Sequence, residues 1–228
     1  MSAVKKVLIL IVILLAVVFI LNLFVNRPSV SSGGTITLDS VEVRSYEGER
    51  LSSVYDFREN SIRGPQFVNE SDYLLTIGGL TNRTVVYAYR DVLDKYQSYS
   101  KVVTLDCVEG WDVTILWEGV LVWDLIRDAG IDSRATIVIF TAHDGYTTSF
   151  PLDYVMNRDI LMAYRMNNIT IPAERGFPFL LVAEDKWGYK WIKWIERIDL
   201  SDDTAYRGYW EKRGYSNTGN LNRSFFSE

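Results

Sequence analysis

The chain has 228 residues, 48% hydrophobic and 23% charged, a balance typical of a folded protein and a length that suits one catalytic domain. Its net charge of −5 argues against the basic face that nucleic-acid binding requires, so we expect no nucleic-acid partner. One cysteine and one histidine are too few for a structural zinc site, and no disulfide can form within the chain.

The N-terminus predicts a membrane anchor. After Lys5 and Lys6, residues 7–25 are apolar at all but one position, and as a helix they reach roughly 28 Å, close to the hydrocarbon thickness of a bilayer. The alternative is a cleaved signal peptide, which has a shorter apolar region followed by a small-residue cleavage site that this chain lacks. The positive-inside rule keeps residues 1–6 cytoplasmic, so we expect a single-pass cell-membrane protein whose domain is outside the cytoplasm.

Downstream of the anchor, residues 26–36 are rich in Ser and Gly and predict a linker, which leaves residues 37–228 as the folded domain. Strand-like runs are Tyr73–Ile77, Lys101–Asp106, Thr136–Thr141, Phe179–Val182 and Trp191–Leu200. Helical candidates are Tyr89–Tyr99, Val120–Ala129 before Gly130, and a short helix from Pro151. Strands outnumber helices and do not alternate with them, so we predict an α+β domain, β-rich with a few short helices.

The single cysteine, Cys107, follows an apolar strand and precedes a turn at Gly110. A rigid strand that delivers one thiol to a loop is typical of a functional site. Two alternatives remain open from the residues alone. Cys107 could be a small buried hydrophobic residue, or the nucleophile of a Cys–His hydrolase with His143 as its base.

Five blocks of sequence between residues 106 and 195 carry distinctive motifs, and together they form an ordered series. They are Asp106–Trp111 with Trp117–Val120, Asp144–Pro151, Leu161–Asn167, Arg175–Pro178 and Trp187–Ile195. In content and order they resemble the sulfite-oxidase-type molybdopterin family, with its Cys-x-x-x-Trp strand end, Trp-x-Gly-Val segment, Tyr-x-x-Ser-apolar-Pro segment and Lys-Trp strand. The resemblance implies that family's molybdopterin-binding fold of mixed sheets, and residues Ser53–Leu80 fit it more loosely.

The resemblance also implies the site residues. Cys107 would ligate the metal, molybdenum or tungsten, and a soft thiolate suits a high-valent metal that a pterin dithiolene also holds. Tyr146 matches the active-site tyrosine, although a tyrosine packed on the sheet is the alternative.

Further matches imply contacts with the cofactor. Gly188, Tyr189 and Lys190 match the turn that contacts the pterin, where glycine allows a close approach and the lysine offsets a phosphate charge. Lys193 reinforces that charge. Asn60 resembles the family's asparagine loop at the cofactor, and Arg63 in the same loop is a further candidate contact.

Two positions depart from the family. Gly176, Phe177 and Pro178 match the family's Gly-x-Pro turn. After this turn the family carries an arginine that meets the phosphate, but this chain has Leu180. Before the glycine the family has His or Asn, but this chain has Arg175. We hypothesise that Arg175 takes over the phosphate charge, because a guanidinium suits it.

The predicted function is therefore a membrane-tethered, extracytoplasmic molybdopterin oxidoreductase. It would transfer an oxygen atom and two electrons to or from a small, possibly sulfur-containing substrate. No Cys-x-x-Cys-His motif is present, so we expect a separate electron-transfer partner. The alternative from another class is a non-catalytic exported binding module that retains the fold. The aromatic tail, Tyr206–Tyr215, is expected to close over the domain.

Overall fold

A computed structural model of the chain describes residues 41–226, which lie within one compact unit. The strands, in chain order, are β1 (Ser45–Tyr46), β2 (Glu49–Arg50), β3 (Leu74–Gly79), β4 (Val85–Ala88), β5 (Ser98–Asp106), β6 (Asp112–Leu121), β7 (Ile137–Ala142), β8 (Thr147–Pro151), β9 (Leu161–Met166), β10 (Ile169–Thr170), β11 (Leu180–Val182) and β12 (Ile195–Ser201). The helices are α1 (Tyr89–Lys95), α2 (Val122–Ala129) and α3 (Leu152–Asn157), with 3₁₀ turns at Ala173–Arg175, Gly188–Lys190 and Glu211–Arg213.

Two five-stranded sheets organise these elements. The first has the order β10-β9-β6-β5, with β11 also paired to β9, and its pairs are antiparallel. The second has the order β4-β3-β12-β7-β8, and within it β3 and β12 run parallel. Residues of both sheets are buried in a shared hydrophobic core, and the strands β9 and β11 are buried at nearly every position. The predicted α+β class, β-rich with mixed sheets and short helices, is confirmed.

The first sheet presents Cys107 at the end of its longest hairpin. β5 and β6 pair in register from Ser98↔Val120 to Asp106↔Asp112. In the loop between them, the Cys107 N–H donates to the carbonyl of Trp111 over 2.8 Å. Gly110 closes the loop with φ +81°, a conformation that favours glycine. The thiol therefore lies on a short loop that is closed by hydrogen bonds from Cys107 to Trp111 and from Gly110 to Cys107.

The second sheet presents Tyr146 in the hairpin between β7 and β8. The Ala142 N–H donates to the Tyr146 carbonyl over 2.9 Å, and the Tyr146 N–H donates to Asp144 Oδ1 over 2.9 Å. Gly145 supplies the positive φ, +86°, that the tight turn requires. This turn fixes the direction in which the tyrosine ring leaves the sheet.

Helix α2 shows why part of the fold can be predicted from the sequence. Its apolar positions recur at helical spacing, and Leu125 and Ile126 are both 0% exposed. Each such side chain contributes about 1.5–3 kcal/mol of burial free energy. The helix ends at Gly130, whose φ is +74°, as predicted from the glycine.

Other boundaries differ from the predictions. The predicted Val120–Ala129 helix begins two residues later, because Val120 and the residues before it pair with β5 and β9 in β6. Gly119 allows β9 to approach, since a Cβ there would lie 2.3 Å from the Met162 carbonyl oxygen. The predicted Tyr89–Tyr99 helix stops at Lys95, because the chain from Ser98 onward pairs with β6.

The predicted strand Trp191–Leu200 also begins later than expected. β12 begins only at Ile195, after the 3₁₀ turn Gly188–Lys190 and after Trp194, whose φ is +57°. The segment before Ile195 thus turns away from the sheet and is free to line a cavity.

Between residues 41 and 226 there is no helix both long enough and apolar enough to cross a membrane. The predicted anchor, 7–25, and linker, 26–36, lie outside the described residues.

A fully buried ion pair ties the C-terminal segment to the domain. Lys190 Nζ lies 2.7 Å from Glu211 Oε1, and both side chains are 0% exposed. The ammonium also donates to the carbonyls of Ser149 (2.8 Å) and Asn217 (3.0 Å), which satisfies its three hydrogens. Burial lowers the pKa of Lys190, and the Glu211 carboxylate opposes that shift.

Because the pair is enclosed, removing one partner leaves a buried charge without compensation. We expect Lys190→Met or Glu211→Leu alone to lower the free energy of unfolding by about 3–5 kcal/mol. The double variant removes both charges and is expected to cost clearly less than the sum of the two single changes. Urea denaturation of the four proteins measures this, and strictly additive losses would contradict it.

Candidate active site

Loops from both sheets line one cavity of about 430 Å³, and these loops carry most of the predicted site residues. It is lined by the β5–β6 loop, the β7–β8 turn, the 3₁₀ turn before β12, the segment 57–64 and part of the C-terminal segment. Of the residues predicted from sequence, those that line it are Asn60, Cys107, Tyr146, Arg175, Gly188, Tyr189 and Lys193. Arg63 and Lys190 are not among its lining residues.

Cys107 lies in the cavity wall with 8% of its surface exposed. Burial raises the pKa of its thiol, and a hydrogen bond from the Glu109 backbone partly opposes the shift. The Asn60 side-chain amide also donates to Sγ, over 3.6 Å. The thiol is therefore protonated at neutral pH unless a cation replaces its proton.

The arrangement does not favour the Cys–His hydrolase. His143, the chain's one histidine, contacts Glu196 through Nδ1 and lines a different cavity, with Phe67 and Leu74. A cysteine nucleophile needs a lowered pKa or an adjacent base. The raised pKa of Cys107 is the opposite condition.

Tyr146 places its hydroxyl against the turn before β12. The hydroxyl donates to the backbone carbonyl of Tyr189, and the ring lies 5.7 Å from that of Tyr209. Burial, with the nearby Glu211 carboxylate, raises the Tyr146 pKa well above its ordinary value. The hydroxyl is therefore a proton donor and not a base at physiological pH.

Arg175 is a buried cation with unused hydrogen-bonding capacity. It is 8% exposed, its Nε donates to the Val54 carbonyl over 2.8 Å, and its guanidinium lies 4.4 Å above the Phe57 ring centroid. Its Nη1 is buried without a partner among the described residues. An unpaired buried donor is costly, so this nitrogen is the clearest candidate in the cavity to meet an anion.

Lys193 is the second cation of the cavity wall. Its Nζ lies 2.6 Å from Glu59 Oε1, and the two side chains are 16% and 23% exposed. Burial lowers the pKa of Lys193, and the hydrogen bond to Glu59 counters that effect. Glu59 precedes Asn60, so this ion pair also fixes the loop whose amide contacts Cys107.

The turn Gly188–Lys190 packs against the loop that carries Cys107, but not all of its side chains face the cavity. A Cβ on Gly188 would lie 3.2 Å from the Asp106 carbonyl oxygen and 3.5 Å from the Cys107 Cα, so glycine permits the close packing. Tyr189 lines the cavity and donates its hydroxyl to the Ser216 carbonyl over 2.7 Å. The Lys190 ammonium is instead enclosed by Glu211 and two carbonyls, so the structure does not bring it to an anion in the cavity.

Arg63 likewise does not reach the cavity. Its side chain is exposed, and its guanidinium would lie 3.9 Å from a Cβ built on Gly145, beside the β7–β8 turn. Its neighbour Gly64 lines the cavity.

The cavity also has aromatic walls, and two of the residues in them, Trp210 and Tyr215, lie outside the motifs that predicted the site. Trp111, Trp194, Trp210 and Tyr215 all line it. The last two belong to the aromatic tail, so the richness of that segment in large rings was the available signal. Their position on the cavity could not be inferred without the fold.

A β-rich domain with a lone thiol in a cation-bearing cavity fits a protein that binds an anionic cofactor. The family model of the oxidoreductase molybdopterin-binding domain matches residues 62–210. The chain belongs to this family, so it is an oxidoreductase and its cofactor is molybdopterin. This confirms the family and cofactor predicted from the sequence and favours an enzyme over a non-catalytic module.

Relatives agree with this assignment. The chain is 30% identical over 156 residues to the uncharacterized oxidoreductase YuiH of Bacillus subtilis, covering 68% of this chain and 78% of YuiH. It is 30% identical over 163 residues to a putative protein-methionine-sulfoxide reductase subunit, YedZ1, of Azospira oryzae, covering 70% of this chain and 62% of that protein. Other relatives bear the names sulfite oxidase and nitrate reductase.

Among solved structures, the sulfane dehydrogenase SoxCD of Paracoccus pantotrophus has a similar fold. The TM-score is 0.63 at 18% identity, covering 86% of this chain and 61% of that one. The likeness confirms the predicted sulfite-oxidase-type fold for the described part of the chain.

Proposed function

We propose that the chain is an extracytoplasmic, membrane-tethered oxidoreductase that transfers an oxygen atom and two electrons to or from a small substrate in the Cys107 cavity. The observation that carries this proposal is the convergence of one buried thiol, one protonated tyrosine and the cations Arg175 and Lys193 on a single cavity. Its volume, about 430 Å³, is in the range of about 300–1,000 Å³ that small-molecule and cofactor pockets occupy.

The residues of the cavity fit molybdopterin. Cys107 Sγ would ligate the metal, since a soft thiolate suits it and a metal displaces the thiol proton whatever the raised pKa. The amide of Asn60 would remain hydrogen-bonded to that sulfur. Arg175 Nη1, which lacks a partner, would meet the cofactor phosphate, and Lys193 would add positive charge nearby. When bound, the cofactor supplies the two-electron redox chemistry.

Tyr146 would act on the substrate. Its hydroxyl keeps its proton because burial raises its pKa. It can therefore donate a hydrogen bond to a substrate oxygen in exchange for its present acceptor, the Tyr189 carbonyl. A donor aimed at an oxygen that gains charge lowers the barrier of the transfer.

Relatives named for sulfite, methionine sulfoxide and nitrate define the candidate reactions. Sulfite and water give sulfate, two protons and two electrons. A sulfoxide or nitrate takes up two electrons and two protons to give a thioether or nitrite, and water. The electrons would pass to or from a separate carrier, because the chain has one cysteine and no haem-attachment motif.

Two variants separate ligation from catalysis. We expect Cys107→Ser to lose the metal, which wild type holds at about one atom of molybdenum or tungsten per chain. Tyr146→Phe is expected to keep the metal and to lower kcat about 10²-fold, the cost of removing one positioned donor. Metal analysis and dye-linked turnover of sulfite, methionine sulfoxide and nitrate measure both. A metal-free wild type from a cofactor-competent host would contradict the proposal.

Arg175 is tested by cofactor content. Arg175→Ala removes the charged donor, and we expect molybdopterin affinity to fall about 10- to 100-fold, the value of a charged hydrogen bond. Arg90→Ala is the matched control, since Arg90 is paired with Glu70, is 68% exposed and does not line the cavity. Molybdopterin released from purified protein gives the readout, and equal content in both variants would refute the role of Arg175.

The tether is supported by the sequence of residues 7–25 alone. We expect the full chain to stay in the membrane pellet after alkaline carbonate extraction, because an apolar helix of this length inserts into the bilayer. Deletion of residues 1–36 is expected to release the protein into the supernatant. A wild-type protein that lacks this segment by mass, or that carbonate releases, would count against the anchor.

A further inference from the structure

One wall of the cavity comes from a segment at the end of the family match. The family model ends at residue 210, and Trp210 and Tyr215 both line the cavity. Their ring centroids are 5.1 Å apart, so the two side chains form one continuous aromatic surface. Tyr209 joins this surface to Tyr146, with ring centroids 5.7 Å from Tyr146 and 5.4 Å from Trp210.

The segment that carries this wall is held rigidly. Glu211, next to Trp210, accepts hydrogen bonds from Lys190 Nζ (2.7 Å) and Thr148 Oγ1 (2.8 Å) inside the protein. The Tyr209 N–H donates to the Thr147 carbonyl over 2.8 Å. Close packing is also required at Gly208, where a Cβ would lie 2.2 Å from that same carbonyl oxygen. These contacts fix the backbone on either side of Trp210.

The two sides of the cavity differ in chemistry. The side near Arg175 and Lys193 bears charge, and the proposed cofactor would use it. The side of Trp210 and Tyr215 offers aromatic faces next to Tyr146. Aromatic faces bind apolar groups but do not stabilise a small hydrated anion. The anion would lose its hydration shell there and gain no hydrogen-bond donor in exchange.

We propose that Trp210 and Tyr215 determine specificity by binding the apolar substituent of a neutral oxo substrate, such as a sulfoxide that bears an aryl group. Glu211, paired with Lys190, is the positioning residue that keeps Trp210 in place. This inference rests on the proposed oxygen-atom transfer at the same cavity. The reaction to be measured converts a sulfoxide, two electrons from a reduced viologen dye and two protons into a thioether and water.

The test compares two sulfoxides that differ only in the apolar group, methyl phenyl sulfoxide and dimethyl sulfoxide, with the metal-loaded full chain. Wild type is expected to have the lower KM for the phenyl compound. Trp210→Ala is expected to raise that KM about tenfold or more, with little change for dimethyl sulfoxide. Tyr215→Leu is the second variant, because truncation of a large ring can impair folding. Tyr206→Ala is the control, an aromatic residue of the same segment that lines another cavity.

Glu211→Gln tests the positioning role. Because this change leaves Lys190 buried without its counter-ion, it is expected to lower the free energy of unfolding. In folded, metal-loaded protein it is expected to raise KM for the phenyl compound by a larger factor than KM for dimethyl sulfoxide. Equal factors for the two substrates, which general destabilisation would produce, would overturn the positioning role.

The outcomes separate the two hypotheses. An unchanged KM ratio in a folded, metal-loaded Trp210→Ala or Tyr215→Leu protein overturns the specificity role alone. A wild type that oxidises sulfite but reduces neither sulfoxide also overturns it and leaves the proposed function standing. A metal-loaded wild type that turns over none of the substrates overturns both.

Discussion

The buried contact between the Lys190 ammonium and the Glu211 carboxylate holds three parts of the site together. These parts are the turn Gly188–Lys190, the C-terminal segment and strand β8 beside Tyr146. Lys190 belongs to the turn that packs against the end of β5, and Glu211 belongs to the C-terminal segment. Their further partners, Thr148 and Ser149, are on β8, next to the turn that holds Tyr146. Charges removed from water are tolerated only when they are paired and hydrogen-bonded. None of these parts can therefore shift without exposing or unpairing a charge.

The cavity follows from how the two sheets place their loops. The first sheet supplies Cys107 from the β5–β6 hairpin, and the second supplies Tyr146 from the β7–β8 hairpin. An irregular segment brings Asn60 to the same space, and the 3₁₀ turn Ala173–Arg175 brings Arg175. Loops on a rigid scaffold are well suited to this, since the sheets fix the loop ends while the loop residues vary with the chemistry. Arg175 Nη1 is buried without a hydrogen-bond acceptor among the described residues, and an anionic cofactor would supply one.

Much of the fold was predictable because its signals are local. The spacing of apolar residues in α2 and the glycine after it predict that helix and its end, and β-branched runs predict β3, β5 and β7. Strand β6 was missed, because its Trp-Glu-Gly-Val segment resembles a helix entry. Only pairing with β5 and β9 across the sheet makes it a strand, and that pairing is not written in any short window of sequence.

The sequence by itself determined the family, the cofactor and the thiol at the strand end, since motif order and a lone cysteine are properties of the chain. The tertiary structure decided the direction of each side chain. Lys190 has the right neighbours for a phosphate contact, yet its ammonium is enclosed by Glu211, twenty-one positions along the chain. Trp210 and Tyr215 reach the cavity for the same reason, because that ion pair folds their segment back over the domain. A charge buried by distant segments is satisfied by whatever partner the fold brings, and sequence spacing does not reveal that partner.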